Sequence, residues 1–225
     1  MIIPAPSQIN YERYPMIKCG RPAKGNECLS RDRVLDTALT LFLEHGYGNL
    51  TMEAIAREAR VSLRTIYSQF GGKAGLFGAL IRRCSDKFVE TLSLEEPPEE
   101  ALAVFAKEFL YRITRPDVVR MRAILIGESP RFPDLATQFY EQGPLRTLDH
   151  LAQFFLRQQE KGKFAAIDAH FLADQFLSGL RSERFQKLQL GLETTPTEAE
   201  IDGWANQATR LFLYGCMKVE MKTDS

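Results

Sequence analysis

Cysteine and histidine are scarce in this chain, and neither is arranged for chemistry. Cys19, Cys28, Cys84 and Cys216 include no C-x-x-C pair, which argues against a metal ribbon or a thioredoxin-like site. The plain expectation is reduced thiols, with redox sensing by Cys19 and Cys28 as the alternative. His45, His150 and His170 stand far apart and match no H-E-x-x-H spacing, so no metal and no cofactor is expected. His45 falls near an expected helix C-terminus, a structural setting for a cation. There is no G-x-S-x-G elbow, no P-loop and no GxGxxG opening a helix after a strand. Asp149-His150 and Glu128-Ser129 are neighbours without a third partner. An enzyme is not expected.

Long apolar runs are also missing. No stretch of about 18 apolar residues exists, so no membrane-spanning helix is expected. Pro4, Pro6 and Glu12 interrupt the N-terminus where a secretion signal would be apolar, and the expectation is a cytoplasmic protein. Net charge is zero, from 29 basic and 29 acidic residues. That balance conceals a gradient. Residues 1–90 hold 13 Lys/Arg against 9 Asp/Glu, and residues 91–225 hold 16 against 20. A basic front on an acidic body suits a polyanion-binding head, although a difference of this size also arises by chance.

What the chain does have is helical periodicity. No alternating β-pattern and no internal repeat interrupts it, so the expected fold class is all-α. Residues 1–29 lack apolar periodicity and read as a mobile arm. Within it, Arg21-Pro22 flanked by glycines stays extended, either as a cationic strand able to enter a minor groove or as a solubilising tail. Ser30 is a candidate N-cap for a helix carrying Val34, Ala38, Leu41 and Phe42 on one stripe, with Gly46 as its stop. Two further starts follow. Thr51 is a cap with Leu50 and Ile55 as a hydrophobic staple, and Ser62 repeats the device with Val61 and Ile66. Two capped helices separated by a turn of roughly three residues form a helix-turn-helix pattern. A fourth helix runs from near Gly72 to about Leu92, before Pro97-Pro98. Further helices are expected over roughly 99–113, 117–128, 133–160, 167–190 and 198–217, with Gly143-Pro144 kinking or splitting the 133–160 segment. The expected division is 1–29 as arm, 30–92 as head and 93–225 as helical body.

On a helical wheel, Leu63, Ile66 and Phe70 share one side of the second element of this pair, Arg64 and Ser68 lie opposite, and Thr65 and Tyr67 flank them. The outward face is short and polar, as a helix in a major groove requires, or as an ordinary solvated face would be. In the first case Arg64 can pair with guanine, and Thr65 and Tyr67 can bond phosphates. Lys73 opens the next helix beside free N–H groups, a site suited to phosphate, and Thr51 can touch the backbone as well as cap.

The run from Thr51 through Phe70, with T-x-x-x-I-A, V-S-x-x-T-I-Y and the spaced Lys73 and Leu76, resembles the signature of tetracycline-repressor-type (TetR family) regulators. The resemblance covers about residues 31–77. It implies a three-helix DNA-binding head, a helical ligand-binding and dimerisation body, and a homodimer on a palindromic double-stranded operator. By that resemblance Thr65, Tyr67 and Lys73 contact phosphates, while Leu63, Arg64 and Ser68 face bases. Gln69 stands where the family often has His. Arg60 stands where it usually has Gly, which leaves three readings open: strain, a phosphate contact, or altered DNA binding. The expected DNA-binding set is completed by Arg21, Thr51, Arg60 and Ser62.

The body, from Gly127 through Pro144 and again from Asp174 through Arg181, resembles AefR-like members of the family. Dimerisation is expected through about 167–190 and 198–217, which carry Phe171, Phe176, Leu177, Leu180, Trp204, Leu211, Phe212 and Tyr214. A small lipophilic or aromatic effector would lie among Phe105, Phe109, Met121, Leu125, Phe155 and Phe176, with Arg122 and His170 as polar anchors. Repression is the family default. The rival readings are a helical interaction module with lost or altered DNA binding and, more remotely, a small helical enzyme.

Overall fold

The computed structural model describes residues 26–216, and it is all-α. Arg21 and most of the expected arm lie outside the described residues. Helix α1 spans Asn26–Asn49 and turns sharply at Gly46, whose φ of 76° and ψ of 174° are not helical. It starts four residues before Ser30, which is therefore helix interior rather than a cap. No Gly or Pro separates Asn26 from Ser30, so nothing in the chain stops the helix there. The remaining elements are α2 (Met52–Ala59), α3 (Leu63–Phe70), α4 (Lys73–Val89), α5 (Pro98–Ile113), α6 (Pro116–Glu128), α7 (Pro133–Tyr140), a π-helical turn (Glu141–Leu145), α8 (Arg146–Glu160), α9 (Ala169–Leu180), α10 (Glu183–Gln189) and α11 (Glu198–Cys216). Pro116 and Pro133 stand at the first position of their helices, where the missing N–H is not needed.

Two interruptions, one expected and one not, have local causes. The segment 133–160 is interrupted where Gly143-Pro144 predicted a kink, and the interruption is the π-turn. Pro144 removes a donor and crowds the preceding turn, which the wider π geometry relieves. The segment 167–190 is two helices, because Arg181 (ψ 48°) leaves helical geometry and Ser182 is extended before Glu183 opens α10.

The chain groups into two compact units. One joins the residues up to Ser85 with Arg115–Pro144, and the other joins Asp86–Thr114 with the residues from Leu145 onward. Packing therefore does not divide at 92/93. Helices α6 and α7 carry Met121, Leu125 and Leu135 into the same core as Val34, Phe42, Ile55, Ile66 and Phe77. In the second unit α8 packs on α9, and α11 packs on α5 and α9. Its core is aromatic, with Phe105, Phe109, Phe155 and Phe176 all buried.

Candidate nucleic-acid interface and effector core

The α2–α3 pair is built as its two caps dictate. Thr51 Oγ1 accepts from the N–H of Ala54 at 3.1 Å, and Ser62 Oγ accepts from that of Thr65 at 3.0 Å. Both staples are in place, with Leu50, Ile55 and Ile66 buried and Val61 packed on the same core. The turn between the helices consists of Arg60, Val61 and Ser62. Arg60 takes the left-handed conformation (φ 53°, ψ 47°) and is the one non-glycine with positive φ among the described residues. The N–H of Arg60 reaches the carbonyl of Arg57 at 3.2 Å, and that of Val61 reaches Ala56 at 3.0 Å. These two bonds complete a Schellman motif, so the turn keeps its geometry despite lacking the usual glycine.

Helix α3 shows the face the wheel predicted. Ile66 and Phe70 are buried, Leu63, Thr65 and Gln69 are half-buried, and Ser62, Arg64, Tyr67 and Ser68 are exposed. Ser68 Oγ donates to the carbonyl of Thr65 at 2.9 Å, and Ser62 and Thr65 share a hydroxyl contact of 2.7 Å. Arg64 has no hydrogen-bond or ion-pair partner among the described residues, and Thr51 and Arg60 are exposed. The C-terminal end of α3 is fixed by a residue that sequence reasoning passed over. The Arg31 guanidinium stacks 4.5 Å from the Phe70 ring centroid and donates to the Gln69 carbonyl at 3.4 Å. Its signal was a basic residue early in α1, which reads equally as a solvated charge. At Gly75 an added Cβ would lie 2.0 Å from the Phe70 carbonyl oxygen, so only glycine allows α4 to begin so close to the end of α3.

Lys73 is more enclosed than its position suggests. Its ammonium lies 4.4 Å from the Tyr47 ring centroid and 3.5 Å from the Gly48 carbonyl. Burial pushes its pKa down, against the opposing pull of the nearby Glu128 carboxylate. Burial also raises the Tyr47 pKa, with Asp134 adding in the same direction.

The eight expected effector residues are divided between the two units. Phe105, Phe109, Phe155 and Phe176 share the core of the second unit, where Phe105 stacks on Phe109 at 5.7 Å and lies 6.2 Å from Phe176. Met121 and Leu125 belong to the other core, because α6 presents its apolar side there. Arg122 lies over the Phe139 ring at 5.8 Å in that same unit. His170 is exposed, 3.9 Å from Asp149, rather than turned into the aromatic core. The expected dimer stripe separates too. Phe176, Leu177 and Leu180 are core, Trp204 and Phe212 are half-buried, and Phe171, Leu211 (77% exposed) and Tyr214 (78%) face outward. Among the described residues no group of metal-ligating side chains is assembled, and no helix is long and apolar enough to cross a membrane.

Two family models match. Residues 34–80 match the model described as bacterial regulatory proteins, tetR family, and residues 100–215 match that of the AefR-like transcriptional repressor C-terminal domain. Among curated proteins, the HTH-type transcriptional regulator AlkX of Mycobacterium tuberculosis is 34% identical over 70 residues, 31% of this chain and 33% of that protein. The biofilm operon negative transcriptional regulator IcaR of Staphylococcus aureus is 26% identical over 87 residues, 37% of this chain and 47% of that one. The chain thus spans between a third and a half of the length of these curated relatives. Among solved structures, the flavonoid-responsive regulator FrrA is 35% identical, with a TM-score of 0.67, over 84% of this chain and 97% of that one. A TetR-family regulator from Mesorhizobium loti shares the fold at a TM-score of 0.73 and 22% identity, over 87% of this chain and 100% of its own. These are regulators of transcription, not enzymes. Matched at its head by one model and over half its length by another, the chain belongs to the TetR family of transcriptional regulators, with a helix-turn-helix DNA-binding domain and an AefR-like C-terminal domain.

Proposed function

We infer that this protein is a repressor that binds a palindromic operator as a homodimer and leaves it when a small lipophilic or aromatic effector occupies the C-terminal unit. The observation that carries the reading is the face of α3, where Arg64, Tyr67 and Ser68 stand exposed above the buried Ile66 and Phe70, on a helix fixed at one end by Ser62 and at the other by Arg31. Such a helix meets a groove without reordering, so little conformational entropy is lost on binding. Arg64 and Ser68 read base edges with Leu63, while Thr65, Tyr67, Gln69 and Lys73 hold phosphates. Thr51, Ser62, Arg60 and, from the N-terminal arm, Arg21 complete the contact. The negative regulator IcaR supports repression, and the flavonoid-responsive FrrA supports an aromatic effector. The outward residues Phe171, Leu211 and Tyr214 support dimerisation through α9 and α11, since two linked heads multiply a weak single-site affinity.

The rival reading, an interaction module with altered DNA binding, rested on Arg60. The completed Schellman turn weighs against it, because the relation of α2 to α3 does not depend on glycine there. A mobility-shift titration of the DNA upstream of the protein's own gene tests the repressor reading. A specific shift at low salt, reversed by an aromatic compound, is expected. A folded dimer with no sequence preference at low salt overturns it.

A further inference from the structure

Two polar residues of the aromatic unit, each at most 3% exposed, carry a side-chain atom with no hydrogen-bond partner among the described residues. Gln158 on α8 is 2% exposed, and its Nε2 is unpartnered. Thr209 on α11 is 3% exposed, and its Oγ1 is unpartnered. The neighbouring Gln159 shows what a structural glutamine does here: its amide donates to the carbonyls of Ala165 at 2.7 Å and Ile167 at 2.6 Å. Thr114, buried in the same unit, donates to the Leu110 carbonyl at 2.7 Å. An orphaned buried donor is costly, and a bound ligand group or an ordered water relieves it. Both orphans stand one helical turn along the chain from rings of the aromatic cluster. Gln158 follows Phe154 and Phe155 by one turn, and Thr209 precedes Phe212 by one turn. Phe212 lies 5.5 Å from Phe155 and 5.0 Å from Phe176. Among the described residues of this unit, the nearly fully buried polar residues are all uncharged, although burial also lowers the pKa of Arg181.

We propose that Gln158 and Thr209 are the polar anchors of the effector site, and that the effector is an uncharged aromatic compound whose carbonyl oxygen accepts from the Gln158 amide. The proposal rests on the effector reading above and names the ligand chemistry of that site. An amide N–H selects an acceptor, the Thr209 hydroxyl can donate or accept, and the phenylalanine rings take the apolar body. An uncharged ligand suits this pair, since neither anchor carries a charge. His170, one of the anchors expected from sequence, is exposed and takes no part in this arrangement.

Calorimetric titration of the full chain tests the proposal, with flavone as the carbonyl-bearing probe and flavan as the same skeleton without the carbonyl. Wild type is expected to bind flavone roughly tenfold or more tightly than flavan, because a site built to bond a polar group rejects the analogue lacking it. Gln158→Leu and Thr209→Val are expected to erase most of that preference while retaining flavan binding, which also reports that the unit is folded. Equal binding of the two probes by wild type, or a preference that survives both substitutions, overturns the proposal and leaves the aromatic-effector reading standing. If neither probe binds wild type, the aromatic-effector reading falls and the proposal falls with it.

Discussion

The Glu128 carboxylate accepts a 2.7 Å hydrogen bond from the backbone N–H of Gly48, 80 residues earlier in the chain. It thereby joins the end of α6 to the turn that follows the long part of α1. Glycine is what permits the approach: a Cβ at Gly46 would lie 2.4 Å from Glu128 Oε1, and one at Gly48 would lie 3.2 Å from the Phe132 ring. The bond is charge-assisted, and Lys73 stands within the field of the same carboxylate. Glu128→Ala is expected to destabilise the protein by about 1 kcal/mol, read from a urea denaturation midpoint. An unchanged midpoint would remove this contact from the forces holding α6 against α1.

Arg60 holds a left-handed conformation that costs a non-glycine residue about 1 kcal/mol. Arg60→Gly relieves that strain, and the greater freedom of glycine in the unfolded chain returns part of it. The expected net effect is a modest stabilisation without tighter DNA binding. A midpoint that falls in this variant contradicts the assignment of strain.

The caps of α2 and α3 should act independently of the charges around them. Thr51→Ala and Ser62→Ala each remove the acceptor for one otherwise orphaned N–H and are expected to cost about 1 kcal/mol. Thermal melts in low and high salt check this. A loss that disappears in high salt would point to an electrostatic origin instead.

At the start of α11, Thr197 and Glu200 form a reciprocal capping box. The Thr197 N–H donates to Glu200 Oε2 at 2.8 Å, and the Glu200 N–H donates to Thr197 Oγ1 at 3.3 Å. The backbone bond from Thr197, with Arg184 assisting, lowers the Glu200 pKa from 4.5 to about 2. A carboxylate with a depressed folded pKa contributes its stability above the unfolded value and loses it as pH falls through the folded one. The stability gap between wild type and Glu200→Gln should therefore be full above about pH 4.5 and close as pH falls to about 2. A gap that is constant with pH would rule out the ionised cap as its source.

How much of this was legible in the sequence depends on whether the signal was local. The starts at Thr51 and Ser62, the stop at Gly46, the interruption at Gly143-Pro144 and the two-faced α3 were readable, because caps, breakers and periodicity act within a few residues. The beginning of α1 was misplaced at Ser30, since a good cap residue does not end a helix that nothing interrupts. Met121 and Leu125 were grouped with Phe105 and Phe176 because apolar residues carry no address. Only packing shows that α6 turns its apolar side toward the core of Phe42 and Ile66. Arg31 over Phe70, Glu128 on Gly48 and the unpartnered Gln158 and Thr209 depend on residues brought together from different helices, or on a partner not found, and no spacing rule reaches them.

The most direct measurement of the function is a cleavage-protection footprint of the protein on the DNA upstream of its own gene, at low salt, for wild type and Arg64→Ala. Two protected half-sites related by a dyad, with centres one helical turn or a multiple of it apart, are expected for wild type, and their loss or relaxed sequence preference for the variant. Protection of a single site without symmetry, or a footprint that Arg64→Ala leaves intact, would contradict a homodimer reading its operator through α3.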